Sequence, residues 1–230
     1  MTFEQIILGI FLVAFCSIFA TEFLRAFYHK HFKKALLLKG LASICFVIQG
    51  FVSFFNTEFS LASLLILIGL CLGIIGDEII ALCQIFPKHD SHHFLGGGAF
   101  FIVGHLFYIA AMLTLNGTNF IAVAICFAIL VILCVIYENR RKYLVGKLKN
   151  SLKLYISVIL IFTALGVGTF IHRGTPGTAL FALGGGLFTI SDNVLFAYKF
   201  GNRPRYYQNV ILHVTYYLAQ FVIAFSIAYL

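Results

Sequence analysis

Two acidic motifs, Gly76-Asp77-Glu78 and Ser191-Asp192-Asn193, stand deep inside long apolar stretches of this chain. A carboxylate at membrane depth is costly to keep, so each is first read as functional. A pair of such groups can divide acid and base work on one substrate, relay protons, or hold a cation. The competing structural role for each is an interhelical hydrogen bond made by a protonated acid.

Four further ionisable side chains share this half of the apolar segments. Asp77 lies about 14 Å from its segment's basic end at a rise of ~1.5 Å per residue, with Asp192 at a similar or slightly shallower height. Counting inward from the segment starts places His105 at much the same level and His213 somewhat nearer the surface. Glu22 and Lys39 fall close to the ends of the first two segments. Six groups from six segments therefore predict one polar cavity opening on the basic face. Glu22 also has a simpler partner in Arg25, three residues on, and Lys39 has an alternative in snorkelling to the headgroups. Glu78 follows Asp77 by one residue, points about 100° away, and is expected to meet a neighbouring helix. Zinc ligation by Asp77, Asp192, His105 and His213, with a bound water as nucleophile, is the alternative chemistry for the same set.

The remaining motifs are weaker. His89, His92 and His93 with Asp90 make a metal-capable cluster expected in a solvated loop. Gly96-Gly97-Gly98 is expected to open the fourth helix and offer backbone N–H groups to a lipid phosphate. Gly184-Gly185-Gly186 is expected to let the seventh helix approach a neighbour. Neither triplet has the strand or Lys-Ser/Thr of a phosphate loop. The six cysteines lie singly in apolar spans and read as packing residues.

Only a membrane can position these groups. The chain is 61% hydrophobic and 10% charged, where a soluble domain carries about 25% charged residues. Apolar runs at 3–27, 36–56, 60–85, 97–115, 119–138, 152–171, 177–199 and 207–229 each approach the roughly 20 residues of a spanning helix. No run alternates as a barrel strand does, so the predicted fold is all-α, one polytopic bundle of eight spans forming a single integral-membrane domain over 1–230. The first span is too long for a signal peptide and lacks a basic n-region, so it reads as retained. Equal spacing from Gly69 to Asp77 and from Gly184 to Asp192, in the third helix of each half, fits a parallel four-plus-four duplication.

Basic residues gather in alternate loops: Arg25 to Lys34, Lys88, six from Arg140 to Lys153, and Lys199 to Arg205, against Arg173 alone on the other face. That asymmetry places the basic face in the cytoplasm and both termini outside. The net charge of +8 then describes a surface facing anionic lipid and not a nucleic-acid site.

Gly76-Asp77-Glu78-Ile79-Ile80, the run from Gly98 to Tyr108 with His105, Ser191-Asp192-Asn193-Val194-Leu195-Phe196-Ala197 and Tyr216-Tyr217-Leu218-Ala219-Gln220 together resemble the YhhN family of membrane proteins. That family includes the animal lysoplasmalogenases, and the resemblance spans nearly the whole chain, with Lys39 matching the family's lysine at the start of helix 2. The sequence departs from the pattern at Gly40, where proline is common, and at Glu78, where an apolar residue is usual. The resemblance implies hydrolysis of the vinyl ether bond of lysoplasmalogens, as lysophospholipid substrates, to a fatty aldehyde and a glycerophospho-base; no cofactor is expected, and the lack of extended tails and trafficking signals points to a bacterial inner membrane. Such cleavage protonates the β-carbon to give an oxocarbenium ion that water captures, a two-carboxylate logic like that of glycosidases. Asp77 and Asp192 are the expected pair, with His105 handling the water and Lys39 binding the phosphate or keeping one aspartate ionised. Asn193, Tyr108, Tyr217 and Gln220, with Glu22, Glu78 and His213, would complete the polar shell. The reading from another class is a lipid-binding or transport protein using the same carboxylates.

Overall fold

The computed structural model describes residues 3–55, 57, 59–141, 146–202 and 204–230, and the protein is an all-α membrane bundle. Lys142 and Arg203, counted above in the basic loops, lie outside the described residues. The eight helices are α1 (Phe3–Tyr28), α2 (Phe32–Phe55), α3 (Leu61–Ile85), α4 (Asp90–Thr114), α5 (Phe120–Arg141), α6 (Lys149–Arg173), α7 (Pro176–Phe200) and α8 (Tyr206–Ser226). Each is long and apolar enough to span a bilayer, where helices satisfy their own backbone groups.

Six helices close a ring in the order α2, α3, α4, α6, α7, α8 and back to α2. Outside it, α1 lies against α2 and α5 against α6. None of the described side chains of α5 is buried, so its apolar surface faces the lipid. Adding four to each helix number maps the ring onto itself: α2·α3, α3·α4 and α4·α6 become α6·α7, α7·α8 and α8·α2.

The likeness of the halves extends to single residues. Ser60 caps α3 by accepting from the Ser63 amide at 3.0 Å, and Thr175 caps α7 by accepting from Thr178 at 3.3 Å. Both helices then run 25 residues. A Cβ on Gly104 would lie 3.2 Å from the Gly69 carbonyl oxygen, and a Cβ on Gly184 would lie 3.2 Å from that of Ala219. One further contact differs between the halves. A Cβ on Gly97 would sit 2.6 Å from the Gly76 oxygen, so α3 and α4 touch backbone to backbone, whereas Ser191 Oγ donates to the Leu212 carbonyl at 2.8 Å between α7 and α8.

Two expectations are corrected here. Helix α4 starts at Asp90, after a short 3₁₀ turn at Pro87–His89, and not at Gly97. The glycine triplet is thus inside the helix, with Gly96 and Gly97 packed on α3, where its N–H groups are not free to receive a phosphate. The histidine cluster begins α4 instead of floating in a loop, and its Asp90 carboxylate accepts from Lys199 Nζ at 2.8 and 3.0 Å.

Candidate active site

Asp77 sits eight residues before the end of α3, and Asp192 eight before the end of α7. Both are buried, and both line one cavity of about 350 Å³ within the ring. Its wall also carries Lys39, Ser191, His213, Asn209 and Tyr216, with Lys199 and Pro204 toward the basic face. Phenylalanines 23, 27, 32, 94 and 101 supply much of the remaining surface, so the cavity is apolar with a few converging polar groups.

The two carboxyls have different partners. Lys39 Nζ lies 2.8 Å from Asp77 Oδ1 and also donates to the Asp77 carbonyl at 3.0 Å. Ser43, one turn on from Lys39, donates to Oδ2 at 2.8 Å. Asp77 is therefore compensated by a buried ammonium and an additional hydroxyl donor. Among the described residues Asp192 has no cation against it: its hydrogen bond is from the Tyr155 hydroxyl of α6 to Oδ2, at 2.8 Å. Lys39 and Tyr155 occupy equivalent helices of the two halves, so the same architecture presents one charged and one neutral donor.

Lys39 is the eighth residue of α2, buried two turns from its start, and does not snorkel. The longer helix places it at the depth of Asp77, where an unpaired ammonium would be costly. Tyr217 donates to the Lys39 carbonyl at 3.5 Å. Gln220 donates to the Tyr216 hydroxyl at 3.0 Å and accepts from Tyr108 at 3.3 Å, joining the cavity wall to the core behind it. His213 lines the cavity, its Nδ1 2.8 Å from the Asn209 carbonyl oxygen and its ring edge-on to Phe23.

Seven predicted residues are absent from the cavity wall: Tyr108, Tyr217 and Gln220 stand behind it, and His105, Glu22, Asn193 and Glu78 lie elsewhere. His105 is not at the level of Asp77. The register that pairs Gly76 with Gly97 and Gly69 with Gly104 sets it about 14 Å further in, at ~1.5 Å per residue, because α4 begins seven residues earlier than expected. There it is enclosed by Phe162, Phe188, Tyr108 and Tyr155, with Nδ1 2.6 Å from the Phe101 carbonyl and, among the described residues, no hydrogen-bond partner for Nε2. Rings of Phe101, Phe188 and Tyr216, mutually 5.6–6.1 Å apart, stand as an aromatic layer beside it. His105 is absent from the cavity wall, so zinc ligation by the four residues together is not supported. Among the described residues no three metal-binding side chains come together, at this site or at the histidine cluster of α4.

Glu22 takes the simpler alternative, a partly exposed pair with Arg25 at 2.5 Å outside the cavity. Asn193 turns back to donate to the Thr189 carbonyl at 2.8 Å. Glu78 also meets α2: a Cβ on Gly40 would lie 3.3 Å from its Oε1. The two departures from the family pattern thus touch each other, glycine making room for the carboxyl.

Ser43, Tyr155 and Tyr216 were missed as site residues. Ser43 was legible, since it lies four residues from Lys39 and shares its helical face. Tyr155 becomes legible once α6 is laid on α2, because its distance along the chain from Asp192 nearly equals that of Lys39 from Asp77. Tyr216 stood within a motif and carried no charge to single it out.

No curated protein and no solved structure matches the chain. Residues 32–227 match the YhhN family, a span that holds both aspartates, Lys39 and the whole ring of six helices. The protein is a member of the YhhN family.

Proposed function

We propose that this protein is a lysoplasmalogenase-type hydrolase, cleaving the vinyl ether of an alkenyl glycerophospholipid to a fatty aldehyde and a glycerophospho-base. The observation that carries it is the pair of buried carboxyls in one cavity, one held by an ammonium and the other by a phenol. A carboxylate fixed beside Lys39 suits a base and a stabiliser of positive charge, and a carboxyl facing only Tyr155 suits a proton donor.

In this assignment Asp192 gives its proton to the β-carbon of the vinyl ether, and the double-bond electrons leave an oxocarbenium ion on the former vinyl ether unit. Asp77 stabilises that cation and takes a proton from the water that adds to it. Collapse of the hemiacetal passes the proton on Asp77 to the departing glycerol oxygen and the hydroxyl proton to Asp192, which restores both groups. Lys39 positions Asp77 and is not itself placed against the substrate. A second, apolar pocket of about 230 Å³ between α4 and α6 shares Ile80, Phe94 and Leu195 with the main cavity. It supports a substrate with a hydrocarbon chain. The enzyme would sit in a bacterial inner membrane with its cavity toward the cytoplasm, as the basic loops suggest.

The test is aldehyde release from a defined lysoplasmalogen by purified protein. Asp77→Asn and Asp192→Asn should each lower it by roughly 10²-fold or more while thermal unfolding stays cooperative. Wild-type rates in both variants would sink the assignment. Loss of activity with a chelator and its return with zinc would transfer the chemistry to a metal. A monodisperse wild type that releases no aldehyde would direct assays to ester and amide lipids, then to transport.

A further inference from the structure

We infer that Lys199 and Asn209 form a phosphate receptor at the mouth of the cavity, and that Lys199 exchanges Asp90 for the phosphate of the bound lipid. This rests on the proposed lysophospholipid substrate, for which the two aspartates account for the scissile bond and not for the headgroup.

Lys39 cannot serve as that receptor. Its ammonium is buried between the Asp77 carboxylate and the Asp77 carbonyl, and an anion would have to displace both. Lys199 is the other lysine on the wall among the described residues. It stands at the end of α7, its side chain 18% exposed, lying 4.8 Å from the Phe94 ring centre and paired with Asp90, whose side chain is 40% exposed. Such a half-open pair is held weakly, in contrast to the enclosed one at Asp77. Asp90 also has other support once released, because it occupies the first turn of α4, beside His89, His92 and His93.

Asn209 is the independent observation. It lines the same cavity, it is 2% exposed, and its Nδ2 has no hydrogen-bond partner among the described residues. A buried amide donor left unpaired is unfavourable, and a ligand oxygen would satisfy it. The Ser191–Leu212 contact sets the register of α7 on α8 and puts Asn209 about 7 Å deeper than Lys199, at ~1.5 Å per residue, within reach of an extended lysine. Asp192 lies only two residues further in on the same register. A phosphodiester held by Lys199 and Asn209 therefore leaves its glycerol pointing at the two carboxyls.

The experiment measures binding, so it does not depend on hydrolysis. A saturated 1-O-alkyl glycerophosphocholine, which has no vinyl ether to cleave, and the phosphate-free 1-O-alkylglycerol of equal chain length are titrated into protein in nanodiscs. Native mass spectrometry reads occupancy. Lys199→Met should weaken the phospholipid roughly tenfold and leave the alkylglycerol unchanged, as loss of a charge-assisted hydrogen bond implies. Asn209→Leu should do the same to a smaller degree, Lys199→Arg should retain binding, and Asp90→Asn should not weaken it. Equal effects of Lys199→Met on both ligands, or none on either, would overturn the receptor. Competition by inorganic phosphate at concentrations where the alkylglycerol does not compete would make this a free-phosphate site and overturn the lipid assignment. Failure of wild-type vinyl ether hydrolysis with the binding pattern intact would remove the proposed reaction and leave the receptor standing.

Discussion

The third helix of each half presents an aspartate eight residues from its end, yet the two aspartates live in different electrostatic settings. In the first half, α2 supplies Lys39 and Ser43 to Asp77. In the second half, α6 supplies only Tyr155 to Asp192. Repeating an architecture twice fixes where two carboxyls stand. Changing one residue type on the neighbouring helix then separates their surroundings, because a buried anion needs a counter-charge whereas a neutral acid needs only a hydrogen bond. The helix contacts diverge in the same way: glycine against glycine in α3 and α4, a serine hydroxyl against a carbonyl in α7 and α8.

The comparison breaks most sharply at Lys39. Lys39→Met leaves a buried carboxylate without its cation and should destabilise the protein by about 3–5 kcal/mol, read from unfolding in a graded denaturing detergent. Adding Asp77→Leu to it should recover much of that loss, whereas Tyr155→Phe, which removes a neutral donor, should cost only about 1 kcal/mol. Equal losses for Lys39→Met and Tyr155→Phe would mean that the two carboxyls are not differently charged. The backbone contacts give the next effect. Gly97→Ala forces a methyl to 2.6 Å from the Gly76 oxygen and should cost about 1–3 kcal/mol, while Ser191→Ala at the matching contact should cost about 1 kcal/mol. Smallest is Gly186→Ala, where a Cβ meets nothing within 4 Å; its melting temperature should match wild type, with a stability change within about 0.5 kcal/mol.

The legible part of this protein follows from its solvent. Hydrocarbon allows few ways to satisfy a backbone, so apolar run lengths were sufficient to find eight helices, and the cost of burying charge was sufficient to single out Asp77 and Asp192. Depth along one helix was legible where its basic end was placed correctly, as for Asp77 and Asp192; His213, expected nearer the surface, lies about two residues deeper than Asp192 on the register of α7 against α8. It failed for His105, because His89 to His93 read as a polar loop although Asp90 and its neighbours form the first turns of α4.

Run lengths and isolated charges thus determined by themselves the class of the protein, its span count and the two carboxyls at its centre, since these depend on local composition against a uniform solvent. Partners were decided only by tertiary structure. Whether Lys39 faced headgroups or Asp77, whether Glu22 joined the cavity, and which neutral hydroxyl met Asp192 all depend on the rotation and register of one helix on another. Those are set by close contacts such as Gly76 on Gly97, which bring together residues that nothing in the linear spacing joins.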